Sequence, residues 1–134
     1  MTARVLFLCI HNAGRSQMAL GFFEYPANGT AQAMSAGSEP ADQLNPVAVQ
    51  AMAEVGIDIA SYQPKRWNQQ QLGDTDIVIT MGCGDECPYV PGTRYIDWPI
   101  DDPAGQDLPA VRTIRDDIKR HVRDLLVELS ESHE

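Results

Sequence analysis

The stretch "VLFLCIHNAGRSQMA", residues 5–19, runs three patterns together: an apolar segment closed by a cysteine, a short polar turn, and the start of a second apolar segment. A continuous run of strand-forming residues predicts a strand over 4–9, buried on both faces. From Ser16 the period lengthens, and Met18, Ala19, Phe22 and Phe23 share one face of a helix that the pattern ends before Pro26. Strand, tight turn and helix make the opening unit of a parallel sheet. Cys9 then falls at the strand's carboxyl end, where such sheets gather their ligands.

Working outward, the same grammar repeats. "AQAMSAG", 31–37, predicts a second strand stopped by Gly37. In "LNPVAVQAMAEVG", Asn45 suits the helix N-cap, Pro46 the first helical position and Gly56 the C-terminal stop. Ala48, Ala51, Met52 and Val55 form its expected inward face. "DIVITM", 76–81, and "RYIDW", 94–98, predict two further strands. A last helix is expected from Pro109 to Leu129, with Val111, Ile114, Ile118, Val122, Leu125, Leu126 and Leu129 on one side. The expectation is an α/β three-layer sandwich, a central four-stranded parallel sheet flanked by helices, in one domain over 1–134. Trp67, Trp98 and Tyr95 are expected to pack rather than to stack on a substrate.

At 134 residues, with 43% hydrophobic and 22% charged residues, the chain can bury a core without disulfide or metal staples. Its net charge of −9 argues against nucleic acid or an anionic membrane as partner. The apolar run at the start is too short for a membrane span and lacks the flanks of a signal peptide, so a cytoplasmic location is expected. The three cysteines, Cys9, Cys83 and Cys87, are an odd number, which argues against a disulfide framework. His11, His121 and His133 stand at no finger-like spacing from them, and no metal site is expected.

Five residues separate Cys9 from Arg15, enough chain to wrap a tetrahedral anion. The backbone of His11, Asn12, Ala13, Gly14, Arg15 and Ser16 can turn its N–H groups inward, and the following helix adds its positive end. Gly14 is expected to supply the backbone angles of a tight loop, while Asn12 tolerates a left-handed turn. Arg15 can fork onto two oxygens, the positive field favours a Cys9 thiolate, and Ser16 can donate a hydrogen bond to it. A buried, inert cysteine is the plain alternative. The placement between strand and helix, with Ser directly after Arg, favours the anion site with a nucleophile at its base.

C-x5-R-S at the first strand–helix turn resembles the low-molecular-weight protein tyrosine phosphatase fold. "HNAGRSQMA" and "IDDPAGQ" look specifically like arsenate reductases built on that fold, and the resemblance extends through "SAGSEP" and "NPVAVQAMAEVGIDI". It implies arsenate as substrate, with phosphate or sulfate as mimics, Cys9 as nucleophile, and the Asp before Pro, Asp102, as general acid. Asp101 is the weaker alternative, and an Asp-Pro turn the structural one. Asn12 and Ser35 are implied to hydrogen-bond beneath the loop.

Cys83 and Cys87, in "TMGCGDECPYVP", are expected to supply the two electrons a reductase needs, the plain alternative being unremarkable loop cysteines or half of a metal site. In the thioredoxin-coupled branch of the family they form a disulfide relay regenerated by thioredoxin, and Gly82 and Gly84 are expected to give that segment mobility. The sequence "HNAGRS" is also similar to enzymes that use mycothiol with a glutaredoxin-like protein, where Cys9 acts alone. A tyrosine phosphatase using Cys9, Arg15 and Asp102 with water is the alternative on the same fold. No tightly bound cofactor is implied, only an external thiol reductant. Leu20 and Lys65 occupy the neighbourhood where some relatives carry carboxylates for a cation, so no potassium requirement is expected.

Overall fold

The computed structural model describes residues 3–27, 31–82 and 92–131. Four strands, β1 (Ala3–Cys9), β2 (Ala31–Gly37), β3 (Ile77–Thr80) and β4 (Arg94–Asp97), form one parallel sheet in the order β2-β1-β3-β4. β1 therefore lies inside, paired with a neighbour on each edge, with Cys9 opposite Gly37. The chain runs outward from β1 in both directions. The carboxyl end of β1 is thus the place where a crevice opens between diverging connections.

Burial on both faces explains the unbroken apolar run of β1. Val5, Phe7 and Cys9 point to one side, into a cluster with Met18, Phe23, Met52, Trp98 and Ile118. Leu6 and Leu8 point to the other, with Ala36, Val78 and Leu72. Trp98 meets Phe7 at a centroid distance of 5.9 Å, while Trp67 and Tyr95 pack against the second cluster. All three are packing residues, as expected. Helices α1 (Arg15–Ala27), α2 (Pro46–Ala53) and α4 (Leu108–Glu131) belong to the larger face. The smaller face is covered by the five-residue α3 (Gln69–Gly73), through Leu72.

Two expectations need correction, and one helix was not expected. α1 continues through Pro26 to Ala27, because a proline in the last turn forfeits one hydrogen bond without having to end the helix. Val55 is 39% exposed, not inward, because α2 stops at Ala53. The Gly56 N–H donates to the Ala53 carbonyl and the Ile57 N–H to Met52, with Gly56 left-handed at φ 83°, a Schellman close that turns Val55 out. α3 went unread, although Asn68 and Gln71 form a reciprocal capping box at its start. The Asn45 cap holds: its side chain accepts from the N–H groups of Val47 and Ala48 at 2.9 and 3.3 Å.

Candidate active site

The loop between β1 and α1 is shaped by where its carbonyls go. The Cys9, Ile10, His11 and Ala13 oxygens accept from the backbone N–H groups of Ser38, Glu39, Ala41 and Asn45, all on the segment after β2. The Asn12 oxygen accepts from the Gln17 side chain, and the Gly14 oxygen from the Met18 N–H inside the helix. Every carbonyl from Cys9 to Gly14 is thus committed away from the loop's interior. Among the described residues no peptide bond is cis, so each following N–H points the opposite way. One of them reports the direction: the Asn12 N–H lies 3.3 Å from the Cys9 Sγ. The loop is a cup of N–H groups with sulfur at its base, and the first turn of α1 adds its unpaired donors.

Cys9 is free and 3% exposed, and its Sγ shares a hydrogen bond with the Ser16 Oγ at 2.9 Å. Ser16 in turn accepts from the Asn12 Nδ2 at 2.7 Å. Asn12 is fully buried and left-handed at φ 50°, the conformation its side chain tolerates best among non-glycine residues. Its Oδ1 also accepts the Lys65 backbone N–H at 2.9 Å. Partial burial pushes the Lys65 ammonium below its ordinary pKa, against the opposing pull of the Glu24 carboxylate.

Arg15 is 7% exposed, its Nη1 donates to the Ile100 carbonyl at 3.0 Å, and its Nη2 lies 3.7 Å from the Asp102 Oδ2. The guanidinium is therefore positioned by the segment that follows β4. A cavity of about 280 Å³ is lined by Cys9, His11, Ala13, Gly14, Arg15 and Asp102 together. Asp102 also accepts the Ala104 N–H at 3.0 Å, so the turn anticipated for Asp-Pro is present and holds one carboxylate oxygen while the other faces Arg15. Asp101 lines a different cleft, with Asp116, Asp117 and Arg120. His11 is exposed at the rim and contributes backbone to the loop.

Several reasons differ from those expected. Gly14 has no left-handed φ; it is small because a Cβ there would stand 2.6 Å from the Pro103 Cγ. Gly82 is left-handed at φ 83° and lies against Arg15, where a Cβ would come within 2.4 Å of Nη1. Its need is close approach rather than mobility. The Ser35 hydroxyl donates to the Gln17 Oε1 at 2.9 Å, and so reaches the loop through Gln17, whose Nε2 bonds Asn12. Gln17 itself, fully buried, escaped notice. The available signal was a polar residue set among Met18, Ala19, Leu20, Phe22 and Phe23, which must find partners when its helix is buried. Cys83, Gly84 and Cys87 lie outside the described residues. Among the described residues there is no cluster of three or more His, Cys, Asp or Glu side chains placed to hold a metal, and no helix long and apolar enough to cross a membrane.

The profile of the low molecular weight phosphotyrosine protein phosphatase family matches residues 4–134. A glutaredoxin arsenate reductase of Synechocystis is 36% identical, over 95% of this chain and 98% of the relative. The chain belongs to the low molecular weight phosphotyrosine protein phosphatase family, in its arsenate reductase branch. The thioredoxin-dependent arsenate reductase of Corynebacterium glutamicum superposes with a TM-score of 0.86 at 36% identity; the match covers 98% of this chain and 64% of that one. An arsenate reductase in its phosphate-binding state superposes with a TM-score of 0.83 at 33% identity, covering 96% and 99%. In this chain the cup at Cys9 occupies the first strand–helix turn, where C-x5-R-S lies in the sequence.

Proposed function

We propose that this chain reduces arsenate to arsenite through a thiol–arsenic adduct on Cys9. The observation that carries the reading is the carbonyl pattern from Cys9 to Gly14, which turns the loop's N–H groups onto one point above a sulfur. A tetrahedral oxyanion fits such a point, and the relative solved in a phosphate-binding state supports that choice of guest. Arg15 forks onto two of its oxygens, and Ser16 donates to the sulfur in its thiolate form.

The Cys9 thiolate attacks arsenic, and the departing oxygen leaves as water after protonation by Asp102, whose carboxyl lines the same cavity. A second thiolate then attacks the Cys9 sulfur. The sulfur–arsenic bond breaks with its electron pair remaining on arsenic, which falls from the +5 to the +3 state, and the two sulfurs become a disulfide. Arsenite is released, and an external thiol reductant restores the pair.

For the second thiol we propose Cys83, followed by transfer of the disulfide to Cys83–Cys87 and reduction by thioredoxin in a cytoplasmic setting. Two facts support it: the residue before Cys83, Gly82, lies against Arg15, and a relative of this branch is thioredoxin-dependent. The test is arsenate-dependent NADPH oxidation with thioredoxin and its reductase, and separately with mycothiol and its partner proteins. Turnover with thioredoxin, abolished in both Cys83→Ser and Cys87→Ser, is expected. Turnover with mycothiol that survives both substitutions would assign the chemistry to Cys9 alone. Hydrolysis of an aryl phosphate without arsenate turnover would make the protein a phosphatase.

A further inference from the structure

Gln17 is fully buried in the first turn of α1, and nothing in the reaction just described uses it. Its amide nitrogen carries two hydrogens and faces three oxygens. The Asn12 carbonyl, the Asn12 Oδ1 and the Gln63 carbonyl each lie 3.1 Å from Nε2. Its oxygen accepts the Ser35 hydroxyl. The opposite orientation of the amide would set an oxygen against three oxygens and a nitrogen against the Ser35 hydroxyl, so the partners themselves fix which end is which. One side chain therefore ties together the cup, strand β2 and the segment after α2.

What Gln17 grips is the residue on which the cup turns. Asn12 holds the left-handed φ, sends its N–H to the Cys9 Sγ, and sends its Nδ2 to the Ser16 hydroxyl that also contacts that sulfur. With the Asn12 carbonyl held by Gln17, the peptide joining Asn12 and Ala13 keeps its N–H toward the anion position. We propose that Gln17 is a positioning residue: through Asn12 it sets the Cys9 environment and holds the cup in its anion-binding shape, with Ser35 setting the amide's orientation. The inference rests on the reading of the cup as an oxyanion site.

The experiment measures phosphate protection of Cys9 against iodoacetamide, with the Cys9 peptide followed by mass spectrometry. The pH profile of alkylation and the thermal midpoint are recorded alongside. Gln17→Met keeps the length of the side chain and removes its donors. It is expected to weaken phosphate protection by about tenfold, the scale of one lost buried hydrogen-bonding group, and to displace the alkylation profile along the pH axis. Ser35→Ala, which leaves Gln17 in place, is expected to shift both readouts in the same direction by less, and it decides the matter if Gln17→Met does not fold. A lower thermal midpoint with phosphate protection and pH profile unmoved would make Gln17 a structural residue only and overturn the proposal. Absence of protection in the wild-type protein would remove the oxyanion reading itself, and the proposal with it.

Discussion

Arg15 shows how much of the site is decided at the scale of single atoms. Its guanidinium is buried, bonded to the Ile100 carbonyl, within reach of Asp102, and laid against the bare Cα of Gly82. The N–H groups that do not bond the Ile100 carbonyl are what the cavity can use. A methyl group at residue 82 would meet Nη1 at 2.4 Å and would also sit on a backbone with φ 83°. Gly82→Ala is therefore expected to lower stability by about 1 kcal/mol from the left-handed conformation alone. It is further expected to weaken phosphate binding by about tenfold as Arg15 is displaced from its fork geometry. Phosphate titration beside urea denaturation separates the two. Unchanged phosphate affinity in a destabilised protein would show that Arg15 adjusts without loss. At this scale, burial and spacing also separate neighbours that look alike in the sequence: Asp101 and Asp102 are adjacent, yet only Asp102 shares the cavity with Cys9.

Helices α2 and α4 are joined by a charged clasp that belongs to neither alone. Glu54, just past α2, accepts from the Arg112 Nε and Nη2 and from the Arg115 Nη1, and Arg115 also donates to the Ala51 carbonyl. The Arg112 hydrogen bond leads in holding the Glu54 carboxyl down to about 2 from an ordinary 4.5, with the bond from Arg115 and the charges of both arginines acting in the same sense against desolvation. A carboxyl whose pKa is lower in the folded state contributes stability above its unfolded pKa, and that contribution fades as pH falls toward the folded value. The window is thus pH 4.5 down to about 2. Urea midpoints of wild type and Glu54→Gln should differ at neutral pH and converge as pH drops through that window. The gap should also narrow in high salt, because Glu54 and Arg112 face solvent although Arg115 is buried. A gap independent of pH would mean that shape rather than charge makes the contact.

At the scale of the whole molecule, the legible features were those written in consecutive residues. The alternation hidden in "VLFLC", the cap and stop around "NPVAVQAMAEVG" and the long stripe of α4 each carry their own period, and the sheet follows from their order. What escaped lies between distant segments. Gln17 meets Gln63 and Ser35, Gly14 meets Pro103, and Gly82 meets Arg15 only because the sheet brings their loops to one edge. α3 is too short to present a periodic face, so its capping box was the one signal it offered. Net charge was legible as well, and it sets a further expectation. A chain at −9 repels an approaching dianion at long range, whereas the cup's backbone donors act only on contact and the one charge among its ligands, Arg15, has the Asp102 carboxylate 3.7 Å away. Screening therefore removes mostly repulsion. Raising an inert chloride salt from low concentration to about 0.15 M, where the Debye length is about 8 Å, should tighten phosphate binding by about threefold. Such a rise is opposite to the usual weakening of anion sites by salt. Protection of Cys9 by phosphate across a salt series measures it, and weakening instead would show that the positive field of the cup reaches well beyond its mouth.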